Sequence, residues 1–164
     1  MEGNCISTAS FKQLETGKYM APWGYDDDTS DPKQAFSKLV AAIDQDPQLR
    51  LAEKDEGALY VRAEAVSAVP PDGIDDLEFL IKPGDGLVTY SSRSRKVVRA
   101  GPVVVGDGGS IKNRLETLRR SLGWSERGLS DYYGGEGGYP ANAGYLKSFN
   151  LKGARSSYGE EDDY

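Results

Sequence analysis

The sequence predicts an α+β fold, in which two amphipathic helices pack on one face of an antiparallel sheet of about four strands. The prediction depends on alternating polar and apolar residues across 48–95 and on apolar residues at helical spacing before and after that range. The chain of 164 residues is long enough for one domain of ordinary size. We therefore predict an extended N-terminal arm at 1–30, the α+β domain at 31–124 and a low-complexity, acidic tail rich in tyrosine and glycine at 125–164.

The first helix is predicted to begin after Asp31, which is a typical N-cap residue. Pro32 suits the first helical position, and Gln34 is placed as the reciprocal partner of a capping box. One apolar stripe follows at positions i, i+3, i+4 and i+7, formed by Phe36, Leu39, Val40 and Ile43. Asp46 and Pro47 are expected to end the helix.

Four strands are predicted from the change to a period of two, at 48–54, 58–66, 76–82 and 87–95. The loop from Pro83 to Gly86 predicts a hairpin with Lys82 opposite Leu87. This register assigns five apolar residues to the core side of the two strands: Leu77, Phe79, Ile81, Val88 and Tyr90.

Acidic side chains at the start of the third predicted strand could serve as an acid–base pair or as ligands for a hard cation. Alternation, however, places Asp75 on one face and Asp76 with Glu78 on the other, and no calcium-loop spacing surrounds them. The hairpin register sets Asp76 opposite Arg93. We therefore predict that Asp76 and Glu78 form structural ion pairs with Arg93 and Arg95.

The second helix is predicted over four apolar residues at helical spacing, namely Ile111, Leu115, Leu118 and Leu122. Ser110 is the expected N-cap, and Gly123 followed by Trp124 is typical of a helix end. The glycines from Gly106 to Gly109 lack the Gly-Lys-Ser/Thr ending of a phosphate-binding loop, which favours a simple turn.

Composition excludes several classes of function. The chain has no histidine and one cysteine, so it lacks the usual general base, the usual metal-binding nitrogen and any internal disulfide. We expect no catalytic site, no metal and no cofactor. A net charge of −6 is atypical of a nucleic-acid-binding domain, and no apolar run approaches the roughly 18 to 20 residues of a membrane-spanning helix.

Candidate partner-binding residues come from a basic region and from aromatic residues in the arm and tail. Between positions 93 and 120 there are eight basic residues against two acidic ones. Large amphipathic aromatics suit protein contacts. The predicted partner-binding set is Arg93, Arg95, Lys96, Arg99, Trp23, Tyr132, Tyr133, Tyr139, Tyr145 and Phe149.

Four short motifs, in order, resemble the domain-of-unknown-function family fourteen-ninety-nine in its photosynthetic branch of algal and plant chloroplast proteins. The motifs are Asn4 to Thr8 with Tyr19 to Trp23; Tyr60, Arg62, Glu64 and Ser67; Asp75 to Phe79 with Ser92, Ser94 and Arg95; and Arg114 to Glu116 with Leu118 and Arg119. The chain departs from the family pattern at Ser91, where an arginine is usual, at Ile111, where an asparagine is usual, and over Val97 to Gly109.

This resemblance implies a chloroplast protein associated with thylakoids, on the stromal or the lumenal side. From it we expect a non-catalytic accessory subunit or assembly factor of a photosynthetic complex, with a photosystem as the first choice. Its expected partners are protein subunits of that complex, with peripheral contact to thylakoid lipid. Two alternatives stay open. One is a small-ligand carrier or enzyme with a pocket on the open sheet face, formed around Asp76, Glu78, Arg93 and Arg95, and the other is a peripheral regulator that binds anionic lipid.

Overall fold

The protein is described by a computed structural model over residues 4–10 and 17–128. The fold is α+β, with two helices and a large antiparallel sheet. The helices are α1 (Pro32–Gln45) and α2 (Ser110–Leu122). The strands are β1 (Cys5–Ser7), β2 (Trp23–Gly24), β3 (Leu49–Asp55), β4 (Tyr60–Val66), β5 (Ile74–Lys82), β6 (Leu87–Ser94), β7 (Arg99–Ala100), β8 (Val103–Val104) and β9 (Ser125–Glu126).

The main sheet has seven strands, in the order β3-β4-β5-β6-β2-β9, and β1 also pairs with β6. β1 lies along the end of β6 at 91–93, and β2 lies along its start at 87–88. The predicted number of about four strands is therefore too low. The four predicted strands are neighbours in this order, with β3 at one edge, and β1, β2 and β9 extend the sheet beyond β6. These three have only two or three residues each, too few for alternation to reveal them.

The predicted β5–β6 hairpin is confirmed in its register, because Lys82 pairs with Leu87 and Asp76 with Arg93. Glu78 lies opposite Ser91. The side predicted to face the core is also confirmed. All of its apolar residues are buried, namely Leu77, Phe79, Ile81, Val88 and Tyr90.

The start of α1 follows the prediction except at one contact. The Asp31 carboxylate accepts a hydrogen bond from the Lys33 N–H at 2.9 Å. Gln34 does not reach the Asp31 backbone, since its side-chain oxygen accepts from the Thr29 hydroxyl. The Thr29 hydroxyl oxygen instead accepts from the Asp31 N–H at 3.1 Å. A threonine just outside the helix thus takes the place of the capping-box glutamine.

The prediction that Ser110 is the N-cap of α2 is wrong. The N-cap residue is Gly109, with φ at 83°, and Ser110 is already helical. The Asp107 carboxylate accepts from the N–H groups of Gly109 at 3.1 Å and Ile111 at 2.9 Å. Because Gly109 can take a positive φ without a Cβ penalty, the chain turns early enough for Asp107 to supply the cap. The predicted end at Gly123 is confirmed, with φ at 71°.

Both helices and the main sheet contribute to one hydrophobic core. Trp23 lies within it and is fully buried. Its ring centroid is 4.5 Å from that of Tyr90, 5.6 Å from Phe79 and 6.5 Å from Trp124. The structure therefore places Trp23 in the core, not on a docking surface, because the arm folds back along β6 as β2.

Residues 125–128 belong to the folded domain and not to a separate tail. Ser125 and Glu126 form β9 against β2, and Trp124 before them is buried. The Arg127 guanidinium donates to Asp26 at 2.5 Å and lies 2.9 Å from an Asp27 carboxylate oxygen. Two of the three consecutive aspartates that precede α1 thus hold the end of the described chain.

Replacing Gly86 by alanine is expected to cost about 1–2 kcal/mol of unfolding free energy. Gly86 has φ at 67°, and an added Cβ would lie 2.8 Å from the Asp26 Cβ. The matched control is Gly84→Ala in the same turn, where no heavy atom lies within 4 Å of an added Cβ. Urea unfolding of both variants checks this prediction, and equal stabilities would contradict it.

Candidate functional site

Charged and hydroxyl side chains of the central strands separate into two groups on opposite faces of the sheet, as the alternation of a strand requires. The sheet-face cluster consists of Arg50, Arg62, Glu64, Asp76 and Arg95. The buried cluster consists of Ser67, Asp75, Ser94 and Arg114. Neighbouring residues along β5, Asp75 and Asp76, thus belong to different environments.

Arg95 lies at the centre of the sheet-face cluster. Its Nη2 atom is 2.6 Å from Glu64 Oε1 and 2.6 Å from Asp76 Oδ1, and its Nε atom donates to Asp76 Oδ2 at 2.8 Å. Arg62 Nη1 donates to the same two carboxylates at 3.1 and 3.2 Å. Arg50 pairs with Glu64 from the edge strand β3. Three guanidinium groups therefore surround two carboxylates, in the charge-assisted geometry that gives strong hydrogen bonds.

These contacts shift the pKa values of the groups involved. Hydrogen bonds from Arg95, and then from Arg50 and Arg62, hold the pKa of Glu64 below its ordinary value. The hydrogen bonds from Arg95 likewise lower the pKa of Asp76, and the two carboxylates raise the pKa of Arg95. Nearby, burial and a hydrogen bond to Glu78 raise the pKa of Tyr60 to about 12. Glu64, Asp76 and Arg95 are thus ionised at neutral pH.

The predicted ion pairs form only in part. Asp76 pairs with Arg95, whereas Glu78 accepts from the hydroxyls of Tyr60 at 3.1 Å and Ser91 at 3.0 Å. Within the described residues, the exposed Arg93 side chain has no hydrogen bond or ion pair. Asp76 is bound instead by Arg95 through both carboxylate oxygens and by Arg62 through Oδ1.

The other predicted partner-binding residues are spread over the chain. Lys96 pairs with Asp72, and Arg99 is exposed in β7. The aromatic residues assigned to the tail lie outside the described residues: Tyr132, Tyr133, Tyr139, Tyr145 and Phe149.

The buried cluster was not predicted from the sequence. Asp75 is 1% exposed, and its Oδ1 atom accepts from Ser94 Oγ at 2.6 Å and from Ser67 Oγ. Its Oδ2 atom accepts from Arg114 Nη1 at 2.9 Å, and Arg114 Nη2 donates to the Val66 carbonyl at 2.9 Å. The alternation did place Asp75 on the core side, which signals a buried carboxylate in need of a donor. Nothing local in the sequence identifies Arg114 on α2 as that donor.

Two surface clefts lie on either side of α2. The first, of about 740 Å³, includes Gln45, Gln48, Asn113 and Arg114 in its lining. The second, of about 600 Å³, includes Tyr19, Lys112, Glu116 and Glu126. None of the four groups proposed for a ligand site (Asp76, Glu78, Arg93 and Arg95) lines either cleft. In the part of the chain that the structure describes, no three His, Cys, Asp or Glu residues are grouped to hold a metal ion.

Replacing Arg95 by glutamine is expected to raise the pKa values of Asp76 and Glu64 towards their ordinary range. A lowered pKa in the folded state contributes stability that is present above the unfolded pKa and is lost as pH falls through the folded pKa. The variant should therefore be less stable than the wild type at neutral pH and should lose less stability as the pH falls, because less of its stability is linked to these two carboxylates. Carboxyl titration by NMR, with acid unfolding followed in parallel, checks this. Unchanged titration of both groups would contradict it.

The residues that carry the family resemblance form most of both clusters, and comparison with known proteins gives one result. The profile of a family described as "Protein of unknown function (DUF1499)" matches residues 1–122. No curated protein and no solved structure matches the chain. Among the described residues, no helix is long and apolar enough to cross a membrane. Because the match covers well over half of its length, the chain belongs to this family of proteins of unknown function.

Proposed function

We propose that the protein is a non-catalytic accessory subunit or assembly factor of a thylakoid photosynthetic complex, with a photosystem as the first choice. In this proposal it docks through the sheet-face cluster and the adjacent Arg93. The thylakoid setting is supported by the resemblance to the photosynthetic branch of the family. The observation that carries the docking function is the network of arginines and carboxylates laid across β3 to β6.

We propose further that both helices cover the opposite face of the sheet and leave the sheet-face cluster open. Arg114 of α2 reaches Asp75 on that opposite face, and α1 joins the same hydrophobic core as Leu77 of β5. Strand pairing then holds the sheet-face charges in fixed positions, so that they need little ordering when a partner binds.

An ordered array of arginine and carboxylate groups suits recognition of a protein surface with complementary charge. Arginine is enriched at protein interfaces, and complementary charges direct encounter and orientation. Arg93 adds an exposed guanidinium beside the paired charges, and it has no acidic partner among the described residues. We assign Arg93 the leading role in binding an acidic partner, because binding through it breaks no existing ion pair.

The arrangement favours docking over the alternative of a ligand carrier or enzyme. That alternative requires a concave apolar pocket on which Asp76, Glu78, Arg93 and Arg95 converge. Asp76 and Arg95 instead bind each other, and the two clefts lie beside α2. A small ligand on the sheet face would therefore have to break existing ion pairs.

The test is affinity purification of the tagged full chain from gently solubilised thylakoid membranes. We expect the wild type to retain a photosynthetic complex and Arg93→Glu to retain at least about tenfold less, because like charges oppose each other across the interface. The matched control is Arg120→Glu, which reverses a guanidinium that is 76% exposed on α2. Absence of any large complex with the wild type, or equal retention by both variants, would overturn the proposal.

A further inference from the structure

The segment that links β6 to α2 combines positive charge with an exposed apolar tip. Residues 93–106 contain four basic residues and no acidic residue. Residues 100–103, with the sequence Ala-Gly-Pro-Val, are all exposed and carry no polar side chain. Of the three large apolar side chains exposed in the described residues, two lie in this segment, namely Val97 and Val103.

β7 and β8 form a small separate hairpin within this segment. Arg99 pairs with Val104, and Ala100 pairs with Val103. Gly101, the first of the two turn residues, has φ at 62°, which suits a tight hairpin turn. The base of the hairpin is fixed, since the Val105 N–H donates to the Val98 carbonyl at 2.9 Å and Asn4 Nδ2 donates to the Val105 carbonyl at 3.2 Å.

We propose that this hairpin is a membrane-contact element that places its apolar tip in the interfacial layer of an anionic bilayer. Lys96 and Arg99 then lie near the lipid phosphates. The inference goes beyond the proposed function, because it requires a lipid surface and no protein partner. It also concerns the part of the chain that departs from the family pattern.

A bilayer fits the hairpin better than a protein groove does, because of how charge and apolar groups are arranged. The exposed tip carries small apolar side chains with basic residues towards its base, which matches the order of acyl chains and phosphates in a membrane surface. The whole chain carries a charge of −6, so general attraction to an anionic surface is absent. Binding must therefore be oriented through the basic segment, and salt must weaken it.

The first test is flotation of the full chain with vesicles of phosphatidylcholine in which about a third of the lipid is phosphatidylglycerol, against phosphatidylcholine alone. The wild type should bind the anionic vesicles only, and binding should fall as salt is raised to physiological strength. Lys96→Gln with Arg99→Gln should weaken binding at least about tenfold, since each cation near the surface contributes about 1 kcal/mol.

The charge-matched control is Lys54→Gln with Arg120→Gln. Each double variant removes one exposed arginine and one lysine that belongs to an exposed ion pair. The ion pair is Lys96–Asp72 in the hairpin variant and Lys54–Glu56 in the control. The control should bind within about threefold of the wild type. Equal weakening by the two double variants would show that net charge alone matters, and would overturn the proposal.

A second pair of variants tests the apolar tip by making the same valine-to-aspartate substitution at two equally exposed sites. Val103 is 64% exposed and Val66, at the end of β4, is 66% exposed. Val103→Asp is expected to weaken vesicle binding at least about tenfold, and Val66→Asp to leave it close to the wild type. Thermal unfolding of each variant confirms that it is folded. Failure of the wild type to bind anionic vesicles, or equal effects of the two substitutions, would overturn the inference. Because the vesicles contain no protein, that failure would leave the purification result for Arg93 unaffected.

Discussion

Replacing Arg114 by methionine is expected to lower the free energy of unfolding by about 3–5 kcal/mol, a large share of the 5–15 kcal/mol typical of a domain. The substitution removes the cationic partner of Asp75, whose carboxylate is 1% exposed. Ser67 and Ser94 still donate to that carboxylate, but neither supplies a compensating charge. The buried carboxylate would then lack its counter-charge, and its desolvation would no longer be compensated.

Urea unfolding followed by circular dichroism measures this effect, with a lower midpoint and an unchanged slope expected. Arg120→Met on the same helix is the control, because its guanidinium is 76% exposed and should contribute about 0.5 kcal/mol or less. Asp75→Asn should also destabilise the protein, since it leaves Arg114 without a counter-charge. Asp75→Asn combined with Arg114→Met should cost less than the sum of the two single substitutions. If the cost of the double variant equals the sum of the two single costs, the two residues are not energetically coupled.

The same residue pair shows how far the sequence could predict the fold. Strand alternation correctly separated Asp75 from Asp76, because the period of two is local and is fixed by backbone geometry. The hairpin register was likewise predicted from turn residues and confirmed. The contact between Asp75 and Arg114 depends instead on how α2 packs across the strand ends, 39 residues further along the chain. No local pattern carries that information.

Only two members of the sheet-face cluster, Asp76 and Arg95, were predicted from the sequence to form ion pairs. Facing residues suggested that Asp76 would bind Arg93, whereas the longer reach of a guanidinium lets Arg95 bind both Asp76 and Glu64 from a diagonal position. Arg50 and Arg62 were not selected, since charged residues on an exposed strand face are common. Side-chain length and rotamer, which sequence spacing does not fix, decide these partners.

Trp23 is the residue whose role changes most between sequence and structure. The sequence around it has no period, so an exposed aromatic in an extended arm was the natural expectation. In the structure, two residues of β2 pair with β6 and with β9, and this brings the ring into contact distance of Tyr90 and Phe79. Burial of a side chain of this size makes it a structural residue of the core.

Replacing Trp23 by alanine is therefore expected to cost about 3–5 kcal/mol of unfolding free energy, because it leaves a large cavity among aromatic rings. Trp23→Phe should cost about 1–2 kcal/mol, since much of the ring volume is kept. Urea unfolding of both variants measures these costs, and Val66→Ala at an exposed site is the control, with a change of about 0.5 kcal/mol or less. The phenylalanine variant separates the structural role from a docking role: we expect its folded form to retain the photosynthetic complex in affinity purification while its stability falls. Unchanged stability with loss of the complex would instead place Trp23 at the interface.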